Sequence, residues 1–256
     1  MSMPFALTAR HALFLDFDGT LAEIAAQPQA VRVHADTVRS LRALHAALGG
    51  ALAIVTGRTM ADIDHFFAPL RLPLACEHGA HTRLGDGSVG TAPALDLAPV
   101  LEALRPLVAR HPGLLVEAKS SGIALHYRQA PHLEPLCVQT LTRVLDDVPG
   151  AELLHGKCVL ELKPAGPSKG RAIADFMRRP PFAGRVPLFI GDDVTDEAGF
   201  AAAQALGGLG VKVGEGATQA QARIDTPAGV RAWLKEAVQA LGQGVQASAT
   251  ETEDQA

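Results

Sequence analysis

Aromatic residues are scarce: they make up 4% of the 256 residues, with one Trp and one Tyr. With so few rings, the core must be built from Ala, Leu, Val and Phe. Cysteine is scarce too. Cys76, Cys137 and Cys158 are odd in number, far apart and contain no Cys-x-x-Cys pair, which weighs against a disulfide framework or a zinc-thiolate site and fits a reducing, cytoplasmic compartment. Positive charge is not in excess. The 23 basic and 27 acidic residues leave a net charge of −4, which argues against a nucleic-acid partner held by a basic surface. No apolar run is long enough for a secretory leader or a membrane span; the one at Ala12 stops at Asp16. A Gly-x-x-x-x-Gly-Lys loop, a Gly-x-Ser-x-Gly elbow and a His-Glu-x-x-His helix are absent as well.

What is present is ordinary globular composition, 48% hydrophobic and 20% charged, so whole-chain disorder is excluded. The length corresponds to about 1.7 average domains. Three short apolar runs each end in polar residues and glycine: Ala12–Leu15 before Asp16-Phe17-Asp18-Gly19-Thr20, Ala51–Val55 before Thr56-Gly57-Arg58, and Val186–Ile190 before Gly191-Asp192-Asp193. Such runs read as strands buried on both faces. Helical periodicity lies between them, at Thr37–Leu48, Lys169–Met177 and Ala228–Leu241. The pattern predicts an α/β fold with a doubly wound parallel sheet, whose ligand sits beyond the carboxyl ends of the strands. All three polar clusters fall there.

The middle of the chain alternates with period two, at Leu115–Lys119, Ile123–Arg128 and Cys158–Leu162, among helical segments at Leu97–Ala109 and Leu133–Leu145. One wet and one buried face predict an antiparallel sheet backed by helices. The expected organisation is a core of residues 1–80 and 163–242 around an inserted α+β cap of residues 81–162. Residues 243–256 carry no apolar periodicity and read as a disordered tail.

Asp16 and Asp18 stand two apart on extended backbone, so both carboxylates project to the same side. One can bind a hard cation and attack phosphorus; the other, crowded by its neighbour's charge, can keep a proton and act as a general acid. Asp192 and Asp193 add oxygen ligands suited to Mg2+. Thr56, read at a helix start, and Lys169, at the start of another, can hold a phosphoryl oxygen. Any one of these residues is as readily structural as catalytic. Their joint, ordered occurrence at strand and helix ends carries the argument.

These motifs resemble those of the haloacid-dehalogenase-type phosphohydrolases. The finer match is to the trehalose-phosphatase family, through Thr56-Gly57-Arg58, Pro164-x-Gly166-x-x-Lys169-Gly170 and Gly191-Asp192-Asp193-x-Thr195-Asp196-Glu197. The resemblance covers about Leu13 to Leu241. It implies a haloacid-dehalogenase-like core and hydrolysis of trehalose 6-phosphate. Asp16 would be the nucleophile and Asp18 the acid and base. Thr56 and Lys169 would hold the phosphoryl group. Mg2+ would lie on Asp16, the Asp18 carbonyl and Asp192, with Asp193 and Asp196 ordering its surroundings. Gly57 and Arg58 are substrate-side positions of the same motif.

The family's cap strands carry Glu-x-Lys and Glu positions for the disaccharide, and Glu117, Lys119 and Glu161 match them. Without the resemblance, alternating charge there reads as a solvated sheet face. Glu77 departs from the small residue usual before the family's His-Gly, and His126 and Arg128 stay unassigned. Another sugar phosphate (sucrose-phosphate, mannosyl-phosphoglycerate or a hexose phosphate) and a non-catalytic sugar-phosphate-binding module are the alternatives. The expected partner is a small molecule, with neither nucleic acid nor membrane involved. The expected state is a monomer, with association to a trehalose-6-phosphate synthase left open.

Overall fold

A computed structural model describes residues 5–25 and 27–253. The three double-covered runs become the centre of the larger sheet. Its strands are β1 (His11–Leu15), β2 (Leu52–Val55), β3 (Leu74–Cys76), β4 (His81–Arg83) and β5 (Val89–Thr91), then, after the cap, β10 (Val186–Gly191), β11 (Leu209–Val213) and β12 (Ala222–Ile224). Their spatial order is β12-β11-β10-β1-β2-β3-β4-β5. The six from β12 to β3 are parallel, while β4 and β5 run antiparallel. The chain leaves β1 toward β2 and later returns on its other side at β10, so a topological switch point lies at the ends of β1 and β10.

Helices α1 (Ala35–Ala47) and α2 (Met60–Phe67) follow β1 and β2, and α5 (Lys169–Met177), α6 (Glu197–Ala205) and α7 (Pro227–Glu253) belong to the second half. Between the halves come α3 (Ala98–Arg110) and α4 (Glu134–Leu145) with β6 (Leu115–Ala118), β7 (Ile123–His126), β8 (Ala151–Gly156) and β9 (Val159–Pro164). The four strands form a separate antiparallel sheet, ordered β6-β7-β9-β8. Leu104, Leu107, Leu125, Leu141, Leu160 and Leu162 build a second hydrophobic core on one of its faces. On the other, the register sets Glu117 opposite Ala124 and Ala124 opposite Glu161. The small alanine separates the two carboxylates across the strands.

Two expectations are corrected. The larger sheet does not stop at residue 80, because β4 and β5 extend it to Thr91 by antiparallel pairing; three-residue strands are too short to show a period. Helix α7 continues through residues expected to be a tail, to Glu253. Extending a helix costs far less than nucleating one. The rest of the expected tail, residues 254–256, lies outside the described residues. Among the described residues no helix is long and apolar enough to cross a membrane.

Helices α5 and α6 pack together with their backbones close at Gly170, where a Cβ would overlap the carbonyl oxygen of Ala198. Gly170→Ala should push these helices apart and destabilise the fold by about 1–3 kcal/mol, the usual cost of overpacking, which urea unfolding would measure.

Candidate active site

Asp16 is the first residue beyond β1, and its backbone N–H still donates to Ile190 of β10 at 2.9 Å. The sheet therefore fixes it at the switch point, where it is only 4% exposed. Lys169 begins α5, whose N-terminus is capped by the Ser168 side chain. Its Nζ donates to Asp16 Oδ1 at 2.8 Å and to Asp196 Oδ1 at 2.6 Å. The other oxygen of Asp196 accepts the backbone N–H groups of Asp192 and Asp193, both at 2.9 Å. One buried carboxylate thus aligns the lysine and the loop after β10.

Lys169 is held well above the ordinary lysine range: burial opposes its charge, but Asp16 and Asp196 outweigh burial. The aspartates have the opposite problem. Burial, reinforced by the charge of Asp196, raises Asp16 well above the carboxylate range and pushes Asp192 up to about 7. Carboxylate oxygens of Asp16, Asp192 and Asp196 lie within 4.8 Å of one another. An all-oxygen donor set with this much uncompensated negative charge fits a hard divalent cation such as Mg2+. Gly19, at φ 75°, makes room for the Asp192 carboxylate, which a Cβ there would overlap. Asp193 is not in this cluster. The Asp193 backbone carbonyl accepts the Asp196 N–H at 3.0 Å and Asp193 lines the cleft, while the clustered third carboxylate is that of Asp196.

Asp18 turns away from Asp16 to a bidentate pair with Arg58, Nε to Oδ2 at 2.6 Å and Nη2 to Oδ1 at 2.7 Å. Phe17 and Phe66 lie beneath the guanidinium, 5.9 and 5.7 Å from ring centre to Cζ, which restricts its rotation. Thr56 is buried beside them, its Oγ1 accepting the Arg58 N–H at 3.1 Å. It does not begin a helix as expected: α2 starts at Met60, capped by Thr59 in a reciprocal pair with Asp62. Residues 56–58 form the connecting loop.

The polar face of the cap sheet meets this core. Lys119 Nζ donates to Glu161 Oε2 at 2.6 Å and to the Gly57 carbonyl at 2.9 Å, crossing from cap to core. His78 Nε2 meets the same Glu161 oxygen at 3.0 Å. Burial opposes the charge of Glu161, yet Lys119 and His78 hold it well below the carboxylate range. Burial lowers His78. Glu117 pairs with His126 Nε2 at 2.8 Å.

One cleft of about 260 Å³ is lined by Asp16, Asp18, Thr56, Gly57, Arg58, Glu117, Lys119, Glu161, Lys169, Asp192 and Asp193. His78, His126 and Arg128 line it too. Asp196 is wholly buried behind it. Sequence reasoning did not single out Lys212, a buried lysine on β11 whose Nζ donates to the Asp192 carbonyl. A charge inside the apolar run Leu209–Val213 was the available signal, since such a residue must find a partner.

A carboxylate pair after a central parallel strand, a lysine from the second half of the chain and a separate cap over the cleft define the class. The fold is that of haloacid-dehalogenase-like hydrolases. A haloacid dehalogenase-like hydrolase from B. subtilis superposes with a TM-score of 0.63 at 15% identity, over 88% of this chain and 99% of that one. The chain belongs to the trehalose-phosphatase family, whose model matches residues 14–227. It is 44% identical over 239 residues to the trehalose-6-phosphate phosphatase of Escherichia coli, covering 93% of this chain and 90% of that one. The C-terminal domain of the C. albicans trehalose-6-phosphate phosphatase shares the fold with a TM-score of 0.79 at 22% identity, over 90% of this chain and 92% of that domain.

The raised carboxylates set a pH dependence. A folded pKa above the unfolded value stabilises at low pH and loses that contribution as pH rises through the folded value. In chelator, the melting temperature should therefore fall between about pH 4 and the Asp192 value of about 7. Added Mg2+ should reverse the fall. Lys169→Met removes the cation bonded to both Asp16 and Asp196, and should cost about 3–5 kcal/mol in urea unfolding at neutral pH and less at acid pH.

Proposed function

We propose that this chain hydrolyses trehalose 6-phosphate to trehalose and inorganic phosphate through an aspartyl-phosphate, as the Mg2+-dependent last step of trehalose synthesis. The observation that carries this reading is convergence. The Asp16–Lys169 pair and the cap's Lys119–Glu161 pair line the same cleft, so one molecule with a phosphate at one end and hydroxyls at the other can engage both. The 44% identity to the Escherichia coli enzyme supports the substrate. The free cysteines fit a cytoplasmic enzyme, which we expect to act as a monomer.

Lys169 occupies Asp16 Oδ1, and Asp16 Oδ2 is the oxygen that would bond to phosphorus. As that bond forms, the phosphorus–sugar oxygen bond breaks and Asp18 gives its proton to the sugar oxygen. Asp18 then takes a proton from water, whose oxygen attacks phosphorus, releasing phosphate and restoring the Asp16 carboxylate. Thr56 Oγ1 accepts from Arg58, which leaves its own proton to donate to a phosphoryl oxygen. Lys169 adds charge for the same group. Arg58 holds both oxygens of the Asp18 carboxylate, so Asp18 must leave this pair and take up a proton before it can serve as the acid.

Asp16, Asp192 and the Asp18 carbonyl would hold Mg2+, with Asp193 and Asp196 ordering the loop around it. When bound, the ion offsets repulsion between an anionic nucleophile and an anionic phosphate. The cap would supply selectivity, with Glu117, Lys119 and Glu161 meeting sugar hydroxyls.

Phosphate release from a panel of sugar phosphates, with and without Mg2+, tests the reading. Activity confined to trehalose 6-phosphate is expected, and no release from any sugar phosphate would overturn it. Asp16→Asn and Asp18→Asn should each lower turnover by about a hundredfold or more. Lys119→Ala and Glu161→Ala should raise KM for the sugar phosphate and affect a small aryl phosphate much less; equal losses on both would contradict a sugar-binding role.

A further inference from the structure

Glu77 has no part in the chemistry above, yet its placement is costly. It is 3% exposed and sits in the left-handed region at φ 48°, followed by His78 at φ 57°. Side chains other than glycine rarely adopt that conformation, and two in succession require compensation. The backbone supplies part of it. Glu77 N–H donates to the Arg58 carbonyl at 3.0 Å and His78 N–H to the Thr56 carbonyl at 2.9 Å. This short turn is thereby strapped to the loop that carries Thr56 and Arg58.

The side chain reaches the other way, into the cap. Glu77 Oε1 accepts the Ser120 N–H at 3.1 Å, while Oε2 accepts the Ser121 N–H at 2.8 Å and the Ser121 hydroxyl at 2.6 Å. Those residues form the turn between β6 and β7, closed by Lys119 N–H to the Gly122 carbonyl at 2.9 Å. Three donors converge on one carboxylate. Burial works against its charge, but the bonds from Ser121 and Ser120 keep it below the ordinary glutamate range. His81 Nε2 lies 3.8 Å from Oε1, and the charge of Glu77 adds to burial in raising the neighbouring Cys76 thiol.

Lys119 immediately precedes this turn, and its Nζ stands in the cleft between Glu161 and the Gly57 carbonyl. We propose that Glu77 is a positioning residue for sugar recognition: it fastens the β6–β7 turn of the cap to the phosphate-side loop of the core and so sets where Lys119 stands. The proposal rests on the substrate reading given above. A carboxylate is required because it accepts without donating; an amide of the same shape would turn N–H groups toward the serine donors.

Glu77→Gln tests this in two independent ways. Amide hydrogen exchange, which needs no substrate, should show Ser120 and Ser121 exchanging at least about tenfold faster; unchanged exchange would overturn the proposal. In steady-state kinetics, KM for trehalose 6-phosphate should rise about tenfold with kcat nearly kept, while kcat/KM for a small aryl phosphate changes several-fold less. An unchanged KM, or equal losses on both substrates, would overturn it as well. Ser121→Ala removes only the hydroxyl donor and should give a smaller change with the same pattern, which guards against misfolding of Glu77→Gln. A wild-type chain inactive on trehalose 6-phosphate would defeat the substrate reading alone, and exchange at Ser120 and Ser121 would still decide whether Glu77 holds the turn.

Discussion

The constraint on which the site depends is the ammonium of Lys169, buried between Asp16 and Asp196. A lysine at the first position of a helix opposes the helix dipole, and a buried one must be fully paired. Neither condition is met by α5 alone. Asp16 and Asp196 meet them from two other segments, so β1, α5 and the turn before α6 are tied to a common point. Asp196 then uses its second oxygen to set the Asp192–Asp193 backbone. The lysine does not neutralise the cluster completely, and the remaining negative charge is what makes the place suited to a cation.

The cap solves a different problem with similar means. Its inner face carries Glu117, Lys119 and Glu161, and each is paired: Glu117 with His126, and Lys119 and Glu161 with each other. Lys119 and Glu161 also reach core groups, Gly57 and His78. On the proposed function, sugar hydroxyls entering such a face would exchange bonds rather than make them from nothing. Selectivity would then depend on how rigidly these partners are held.

Much of this was legible in the sequence where burial leaves a strong pattern. β1, β2 and β10 are covered on both faces and read as apolar runs; α5 has its Ser168 cap and the proline pair beyond its end. β3, β4, β5 and β12 are three residues each, too short for any period, and the sheet's extension to Thr91 was lost with them. Thr56 looked like a helix start because it follows a strand, whereas the capping pair is Thr59 with Asp62. Asp192, Asp193 and Asp196 were visible as an acidic group, but which carboxylates face one another depends on turn geometry. Glu77 was visible only as a departure from pattern, since its partners are 43 and 44 positions away.

The order of strands has a consequence in time. β1 pairs with β2 on one side and β10 on the other, and its partner residues in β10 run from Val186 to Ile190. At roughly 5–20 residues per second, the ribosome delivers β10 on the order of ten seconds or more after β1. During that interval the strand leading to Asp16 has one open edge; Lys169 is made only near its end, and Asp196 follows β10. The first segment of the site to be synthesised therefore waits, with its carboxylate still in water, until the last third of the chain arrives to bury it.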